Sequence, residues 1–320
     1  MVRFLILTQY YPPEVGGAQT RLAAFARELQ RQGHTVEVVT AMPNHPAGRT
    51  YDGYRGKFYV HERVDGIDVH RTWVYAATGV GLKRVMNYLS FSMSSLFGIM
   101  RARRPDVLFV ESPPLTLGAS GWLASKFRRA RLIFNISDLW PDSVRDLGVI
   151  RDGPVLRAAE AFERWMYRQS SIVNTVTDGI VHVLRTVKNV PERKIGFLPN
   201  GVDTEHFFPR PPDGTLMRQL DIGETPVLLY AGTHGIGMGL EHVLDAALLL
   251  TDEAVVVFVG AGPTKPMLVE RAWRIGAKNV RFVDPVPLRD MPSYFSIAYA
   301  SVVPLVRSDV TRGARANHLW

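Results

Sequence analysis

Glycine-rich turns that follow short apolar runs are the residues of this chain best suited to binding an anion. Gly16 and Gly17 follow the first apolar run, Gly232 opens a loop with four glycines in eight residues, and Gly260 and Gly262 follow a run of valines. Each turn precedes an amphipathic run, and a strand, glycine loop and helix in series point backbone N–H groups and a helix dipole at a phosphate. Gly16 and Gly17 do not complete the GxGxxG pattern, so close packing of a helix on a sheet explains them equally well. The two later turns together predict a phosphate or nucleotide cleft.

Polar residues at two other strand ends are further candidates. Asp138 follows the apolar run 131–136 beside a tryptophan, and a carboxylate at the carboxyl end of a strand is a candidate site residue. N-capping of a helix by Asp138 or Asp142 is the alternative. Asn200 and Gly201 follow another apolar run, where they predict a turn at the ligand-binding edge of an α/β sheet. A plain loop before a linker is the alternative.

Composition excludes several kinds of site. The chain has no cysteine, so it contains no disulfide, thiol nucleophile or cysteine-ligated metal. It has neither an HExxH motif nor an Asp/Glu cluster at metal-ligand spacing, and no metal is predicted. His234 is a lone loop histidine, for which we expect exposure to solvent or a hydrogen bond to backbone.

Positive charge is concentrated in the first half of the chain. Residues 1–170 hold 23 Lys and Arg against 15 Asp and Glu, whereas residues 171–320 hold 15 of each. This asymmetry indicates an anionic partner for the first half, either a phosphate-bearing substrate or an anionic membrane surface; a solvated basic face is the alternative. The basic residues are scattered and lack interleaved aromatics, so nucleic acid is not predicted as a partner.

A long apolar run at 83–104 ends in Arg101, Arg103 and Arg104. As a helix it suits either a membrane surface or burial between other helices. No signal-peptide pattern precedes the first strand, and no run of about eighteen apolar residues occurs. The predicted location is therefore cytoplasmic, either free or peripheral on the inner face of the plasma membrane.

Apolar runs that alternate with amphipathic runs predict an α/β fold with parallel sheets. The length suits two domains, 1–199 and 200–320. A helix is predicted at 18–32 and a hairpin within 58–75.

Three local predictions concern loops and helix ends. The polar loop at 42–57 is long enough to be functional. Asp178 is predicted to cap a helix, and 207–221 is predicted to be a linker or peripheral turn.

Seven motifs occur in order along the chain: YYPPEVGGAQ, PNHPAGRTYDGYRG, DLWPDS, LPNGVDTEHF, GLEHVLDAA, FVGAGP and ASVVPL. Together they resemble the family 4 retaining glycosyltransferases, whose GT-B fold has two Rossmann-like domains facing a cleft. LPNGVDTEHF is specific to the family. PNHPAGRTYDGYRG and DLWPDS resemble the branch that transfers N-acetylfucosamine-type sugars in O-antigen or capsule assembly.

The resemblance implies a role for each candidate. Asp138 would lie near the reacting sugar, and the loop of Gly16 and Gly17 would line the donor phosphate and the acceptor side. The nucleotide pocket would be shaped by Asn200, Gly201, Gly232, Gly260, Gly262 and Pro263. The donor would be a nucleotide sugar, UDP-linked, and the acceptor a polyprenyl-diphosphate-linked saccharide. No cofactor or metal would be needed, because helix N-termini and cationic side chains neutralise the diphosphate.

The chain departs from the family pattern in two places. Its loop GTHGIGMGLE has no Arg or Lys, where many family members carry a basic pair. Its last residues, 306–320, lack the Glu-x7-Glu segment that contacts the donor in such enzymes, so the second domain is expected to be incomplete and the activity reduced. A non-catalytic GT-B binding protein and a UDP-sugar epimerase of the same fold are the alternatives. A Rossmann oxidoreductase is disfavoured, because the first glycine turn lacks GxGxxG.

Overall fold

The computed structural model describes residues 1–306, apart from 15, 78, 80, 147 and 149–151. The described chain forms two compact units, of which the first is Met1–Asn200 and the second begins at Gly201. The expectation about the missing Glu-x7-Glu segment concerns 306–320, of which 307–320 lie outside the described residues.

The first unit is built on a sheet of eight strands. Seven strands are parallel, and the hairpin partner at one edge, β3, is antiparallel. The order is β3-β4-β2-β1-β5-β6-β7-β8. The strands are β1 (Arg3–Leu7), β2 (Thr35–Ala41), β3 (Tyr59–Val64), β4 (Ile67–Thr72), β5 (Val107–Ser112), β6 (Arg131–Ile136), β7 (Ile172–Thr175) and β8 (Ile195–Phe197).

Helices connect these strands and cover the sheet. They are α1 (Gly17–Arg31), α2 (Leu82–Arg101), α3 (Leu117–Arg128), α4 (Asp142–Asp146), α5 (Pro154–Gln169) and α6 (Asp178–Thr186). α1 forms where the sequence predicts it, because Leu22, Phe25 and Ala26 repeat at helical spacing and pack into the core. Gly33 ends the turn after α1 with φ +82°, a conformation that favours glycine.

The second unit contains a parallel sheet of four strands in the order β11-β10-β9-β12. Its strands are β9 (Val227–Ala231), β10 (Val255–Val259), β11 (Val280–Val283) and β12 (Ala300–Ser301). Its helices are α7 (Gly214–Gln219), α8 (Leu240–Leu249), α9 (Lys265–Arg274) and α10 (Met291–Ile297). β10 is buried along its whole length, as expected for the central strand of a sheet covered on both faces. The α/β class with parallel sheets is confirmed.

The helix cap predicted at Asp178 is wrong. The N-cap of α6 is Thr177, whose side chain accepts a hydrogen bond from the backbone N–H of Ile180 (3.1 Å). Asp178 lies in the first turn, where its charge favours the helix dipole. Thr and Asp are both good caps, so the sequence alone did not distinguish the two positions.

Two loop predictions also differ from the structure. The segment predicted as a linker, 207–221, contains α7, whose N-cap Asp213 accepts from two backbone N–H groups. The turn predicted at Asn200 and Gly201 lies further along the chain, at 204–206. There the Asp203 carboxylate accepts from the N–H groups of Glu205 and His206 (3.1 and 3.2 Å) and forms the turn.

Candidate functional site

The candidate site of the first unit lies at the carboxyl edge of its sheet. β1 and β5 are neighbours inside the sheet. The strands that directly follow β1 in sequence lie on one side of it, and those that follow β5 lie on the other side of the pair. The loops after these strands therefore diverge, which is where open α/β sheets bind ligands. Gly16 and Gly17 lie between β1 and α1, and Asp138 follows β6, the strand beside β5.

Gly16 and Gly17 open α1 without a side-chain cap. The backbone of Gly16 is extended (φ 166°), so its conformation does not require glycine. A Cβ there would lie 2.6 Å from Oε1 of the buried Gln19, so the end of that flexible side chain would have to shift. The first turn also lacks an acidic side chain. This helix end therefore keeps its capacity to attract an anion.

A network of polar side chains joins α1 to the ends of three strands. Nη2 of Arg21 donates to Glu111 Oε1 (2.5 Å) and to the Ser137 hydroxyl (2.7 Å). Asn135 Nδ2 donates to Glu111 Oε2 (2.7 Å), and Asn174 Nδ2 donates to Asn135 Oδ1 (2.6 Å). The exposed fraction of the side chain is 3% for Glu111 and 13% for Arg21. The network holds α1, and with it the glycine loop, against the end of β6.

This network was missed in the sequence, although a signal for it exists. Glu111, Asn135 and Asn174 are polar residues at or near the ends of otherwise apolar strands. In the sheet, Glu111 pairs with Asn135, and Asn135 pairs with Asn174. Aligning the carboxyl ends of the predicted strands would have placed the three side chains in one row.

Asp138 lies one residue beyond Ser137 and four residues before α4, so it does not cap that helix. Burial raises the pKa of its carboxyl, although nearby groups of Leu139 and Ser143 favour the charged form and lower the pKa. The neighbouring Asp142 adds to the rise. A partly buried carboxyl of this kind can exchange a proton or place negative charge beside a developing cation.

Asp142 has a structural role. Lys188 Nζ lies 2.5 Å from Asp142 Oδ2 and 2.8 Å from Glu163 Oε2, and the Tyr167 hydroxyl donates to Glu163 (2.6 Å). This ion pair neutralises Asp142, whereas the described part of the chain contains no ion pair to Asp138. The two carboxylates therefore differ in environment, since Asp142 is ion-paired within the described residues and Asp138 is not.

Glu14 joins the glycine loop to the long loop after β2. Its buried carboxylate accepts from the backbone N–H groups of Asn44 and His45 (2.8 Å each) and Tyr11 (3.3 Å). Burial raises the pKa of Glu14 to about 7, although these three donors lower it. The loop at 42–57 is thereby held at the same edge of the sheet as Gly16.

Arg84, in the first turn of α2, places a second cation near this edge. Its guanidinium donates to the hydroxyls of Tyr10 (2.9 Å) and Tyr88 (2.8 Å). Tyr10 lies in the loop after β1, and its ring centroid is 5.4 Å from that of His45. Burial opposes the charge of Arg84, but the two tyrosines raise its pKa overall. Among the described residues no Asp or Glu forms an ion pair with Arg84, which makes it a candidate ligand for an anion.

The glycines of the second unit are explained by the approach of two loops. Gly232 N–H donates to Val259 O (2.9 Å), and the backbone of His234 pairs with that of Ala261 (2.9 Å). A Cβ on Gly260, whose φ is +139°, would lie 2.0 Å from Gly232 O. A Cβ on Gly262, just before Pro263, would lie 2.2 Å from His234 O. These contacts are between backbones, so a side chain at either position forces the loops apart.

The prediction for His234 is wrong. Its side chain is buried, and within the described ranges neither ring nitrogen has a hydrogen-bond partner. The ring lies near those of Tyr230 and Phe258, at centroid distances of 5.7 and 6.1 Å. Burial, together with the charge of Lys265, lowers its pKa to about 4. His234 is therefore neutral near pH 7 and adds no positive charge to the loop.

Lys265, which follows the second glycine turn, is engaged within its own unit. Its Nζ donates to Gly260 O (2.9 Å), Val283 O (2.9 Å) and Asp284 Oδ1 (2.7 Å). It therefore ties the ends of β10 and β11 together. No group of three or more His, Cys, Asp or Glu within the described ranges could hold a metal ion.

Comparison with known proteins identifies the family. Residues 16–201 match the glycosyl transferase 4-like domain, which is more than half of the chain. The chain belongs to this glycosyltransferase family. The residues of this chain that match the family domain include Gly16, Gly17, Asp138, Asn200 and Gly201. The glycine turns of the second unit lie outside the matched residues.

Relatives and solved structures extend this result. The chain is 30% identical over 292 residues, 88% of its length, to 71% of WcaI of Escherichia coli strain K12, a glycosyl transferase named for colanic acid biosynthesis. Sucrose-phosphate synthase of Thermosynechococcus elongatus is 14% identical with a TM-score of 0.72, covering 95% of this chain and 76% of that one. HepE of Anabaena in complex with UDP-glucose has a TM-score of 0.65 at 14% identity, covering 94% and 73%. The protein is therefore a family 4-like glycosyltransferase with the GT-B fold.

Proposed function

We propose that this enzyme transfers a sugar from a UDP-linked donor to a polyprenyl-diphosphate-linked saccharide, with retention of anomeric configuration, during assembly of a cell-surface polysaccharide. The observation that carries the proposal is the identity to WcaI over most of both chains. The complex of HepE with UDP-glucose supports UDP as the nucleotide. The N-acetylfucosamine-type branch, suggested by the motifs after β2 and β6, remains the finer proposal for the sugar.

In this proposal Asp138 acts beside the reacting sugar. A retaining transfer passes through a transition state with positive charge on the sugar ring, and a nearby carboxylate stabilises that charge. Asp138 suits this role because it is partly buried and outside any ion pair of the described chain. The neighbouring Asp142 forms an ion pair with Lys188, and in this proposal it has a structural role and not a catalytic one.

The nucleotide and its phosphates are assigned to the glycine turns. Gly16 and Gly17 line the phosphates at the uncapped start of α1, and the ion pair between Arg21 and Glu111 holds this helix end in place. The remaining contributions to nucleotide binding are assigned to Asn200, Gly201, Gly232, Gly260, Gly262 and Pro263. Since His234 is neutral and the loop contains no Lys or Arg, the loop after β9 adds no positive charge to the proposed nucleotide pocket.

Arg84 is proposed to bind the diphosphate of the lipid-linked acceptor. It is a cation held by two tyrosine hydroxyls and lies close to the loop that contains Tyr10. A planar guanidinium with donors in a fixed arrangement suits phosphate oxygens. Replacing Arg84 by Gln should therefore raise KM for a polyprenyl-diphosphate acceptor about tenfold or more and leave donor binding unchanged. An equal loss of donor binding would contradict the assignment.

The donor is tested by thermal unfolding of the purified chain with UDP, GDP or ADP at equal concentrations. UDP should give the largest rise in Tm, since a ligand at about 100 times its Kd stabilises the folded state by about 2.7 kcal/mol. A larger rise with GDP or ADP would assign a different donor. No rise with any nucleotide would contradict a working donor site.

A further inference from the structure

One face of α2 is apolar and exposed along the whole helix. Six large apolar side chains repeat at intervals of three or four residues, each between 37% and 77% exposed. We call them the α2 stripe: Leu82, Met86, Leu89, Met93, Phe97 and Met100. Soluble domains rarely expose a continuous apolar surface of this length, and such a surface indicates a partner.

The opposite face of α2 is buried against the first unit. Phe91 and Ile99 belong to its hydrophobic core. Gly98 allows close packing, because a Cβ there would lie 2.9 Å from a methyl group of Val39. Of the two alternatives predicted for this helix, burial between other helices therefore does not apply to its exposed face, and α2 is amphipathic in the sense of a surface helix.

The neighbouring helix α3 extends the apolar surface. α2 and α3 are joined by the hydroxyls of Ser92 and Thr116 (2.9 Å) and by the Ser120 hydroxyl, which donates to Ser92 O (2.6 Å). α3 contributes two more exposed apolar side chains, Leu123 (42%) and Phe127 (78%).

Positive charge is concentrated around the same two helices. Residues 82–131 contain nine Lys and Arg but only two Asp and Glu, a net charge of +7 out of the +8 of the whole chain. The carboxyl ends of α2 and α3 are adjacent, since Arg104 Nε donates to Arg128 O (3.0 Å) and Arg128 Nη2 donates to Ala102 O (2.5 Å). Most of the cations gather here and are exposed; we call Arg101, Arg103, Arg104, Lys126 and Arg129 the basic cluster.

We propose that the α2 stripe and the basic cluster form a docking surface for an anionic lipid bilayer, with α2 lying in the plane of the interface. An amphipathic helix with basic residues inserts its apolar face at the boundary of headgroups and acyl chains, and its cations attract anionic lipids. Within the described chain no helix is long and apolar enough to cross a membrane. The surface therefore rests on the bilayer rather than spanning it.

Charge distinguishes a bilayer from a second copy of this chain. A second copy carries the same positive charge around α2 and α3, so a dimer through the α2 stripe gains no charge complementarity. An anionic bilayer complements both the apolar stripe and the positive charge. Arg84, the proposed ligand of the acceptor diphosphate, lies on the same helix two residues after Leu82. The surface would thus place that arginine at the height of the lipid headgroups.

The apolar contribution is tested by flotation of the purified chain with vesicles of phosphatidylcholine mixed with phosphatidylglycerol. Met93→Asp changes a side chain that is 75% exposed on the stripe. Met267→Asp makes the same change at a 50% exposed site on α9, away from the stripe, and is the matched control. Met93→Asp should lower the partition coefficient tenfold or more, because it removes an apolar side chain that would insert into the bilayer and adds a charge of the same sign as the anionic lipids. Met267→Asp should leave the partition coefficient unchanged.

The charge contribution is tested with Lys126→Gln combined with Arg129→Gln. Each removed cation should weaken binding to the mixed vesicles about fivefold at low salt. Binding of the wild type to vesicles of phosphatidylcholine alone should be much weaker than to the mixed vesicles. The control is Lys278→Gln combined with Arg289→Gln, which lie in the second unit and should leave binding unchanged.

Three results would overturn the proposal: wild-type flotation that is independent of phosphatidylglycerol, equal loss with Met93→Asp and Met267→Asp, or a dimer in light scattering that Met93→Asp dissociates while flotation persists. Each variant's circular dichroism spectrum and Tm show whether it has folded. The proposal goes beyond the transferase function, and flotation requires no donor sugar. A failed nucleotide-binding test would therefore leave it standing.

Discussion

The ion pair between Arg21 and Glu111 gives a quantitative test of the network that joins α1 to the strand ends. Arg21→Met removes the cation but keeps a long apolar side chain, so Glu111 loses its only ion-pair partner among the described residues. Its side chain is 3% exposed, so the carboxylate left behind is poorly solvated. Breaking a buried pair in this way costs about 3–5 kcal/mol. Glu111 keeps donors on Asn135 and Ser137, so we expect a loss near the lower limit, about 3 kcal/mol.

The double variant Arg21→Met with Glu111→Gln separates the effect of the unpaired charge on stability from the effect of the changed packing. A neutral amide at position 111 can still accept from Asn135, and the uncompensated charge is gone. Its free energy of unfolding should therefore lie within about 1 kcal/mol of the wild type, as replacement of whole buried pairs is often nearly neutral. The double variant should then be about 2–3 kcal/mol more stable than Arg21→Met alone.

Urea and thermal unfolding measure both variants. Four of the six tryptophans lie in the first unit, and the Trp122 and Trp165 rings are 4.9 Å apart, so fluorescence mainly reports this unit. A loss of about 3 kcal/mol in a unit of this size lowers Tm by roughly 6–12 °C. A loss below about 1 kcal/mol for Arg21→Met, or a double variant less stable than the single one, would refute the reasoning.

Three further predictions concern the candidate site. Asp138→Asn should lower kcat about a hundredfold or more with little change in Tm, whereas Asp142→Asn should lower Tm with little change in kcat. Steady-state kinetics and thermal unfolding measure the two effects. The reverse pattern would assign the catalytic role to Asp142 and the structural role to Asp138. Because the folded-state pKa of Glu14 (about 7) lies above its ordinary value of 4.5, its contribution to stability is complete below about pH 4.5 and is lost as the pH rises through about 7. Glu14→Gln should therefore flatten the loss of stability across that window, as measured by urea unfolding at several pH values; an unchanged pH dependence would show that Glu14 ionises normally. Gly262→Ala should destabilise the second unit by several kcal/mol or abolish the UDP-dependent rise in Tm, because its Cβ meets His234 O.

Gly201→Ala is the matched control for the glycine prediction. A Cβ on Gly201 has nothing within 4 Å, and its backbone does not require glycine. The variant should therefore leave the free energy of unfolding within about 0.5 kcal/mol of the wild type. A loss as large as that of Gly262→Ala would show that the steric argument is incomplete.

The architecture could be predicted because its signals are local. Strands such as β6 and helices such as α5 begin and end where apolar runs and prolines place them. The hairpin between β3 and β4 follows from Asp65 and Gly66, which take positive φ values (50° and 78°). Such features depend on neighbours along the chain and need no knowledge of which strands pair.

The site was harder to predict because its contacts are long-range. The Arg21–Glu111 pair joins residues 90 positions apart and depends on the order of the strands. Glu14 and His234 take unusual pKa values only because other loops bury them. Asp138 could be named from its place after a strand. Its difference from Asp142 required Lys188, which reaches Asp142 from a distant part of the sequence.

Sugar transfer itself tests the central claim most directly. The purified chain is incubated with a UDP-linked N-acetylhexosamine and a polyprenyl-diphosphate-linked saccharide, and the product is analysed by mass spectrometry and by NMR of the new anomeric carbon. We predict a product one sugar larger that keeps the anomeric configuration of the donor and is lost with Asp138→Asn. Inverted configuration, or transfer that Asp138→Asn leaves unchanged, would contradict the account.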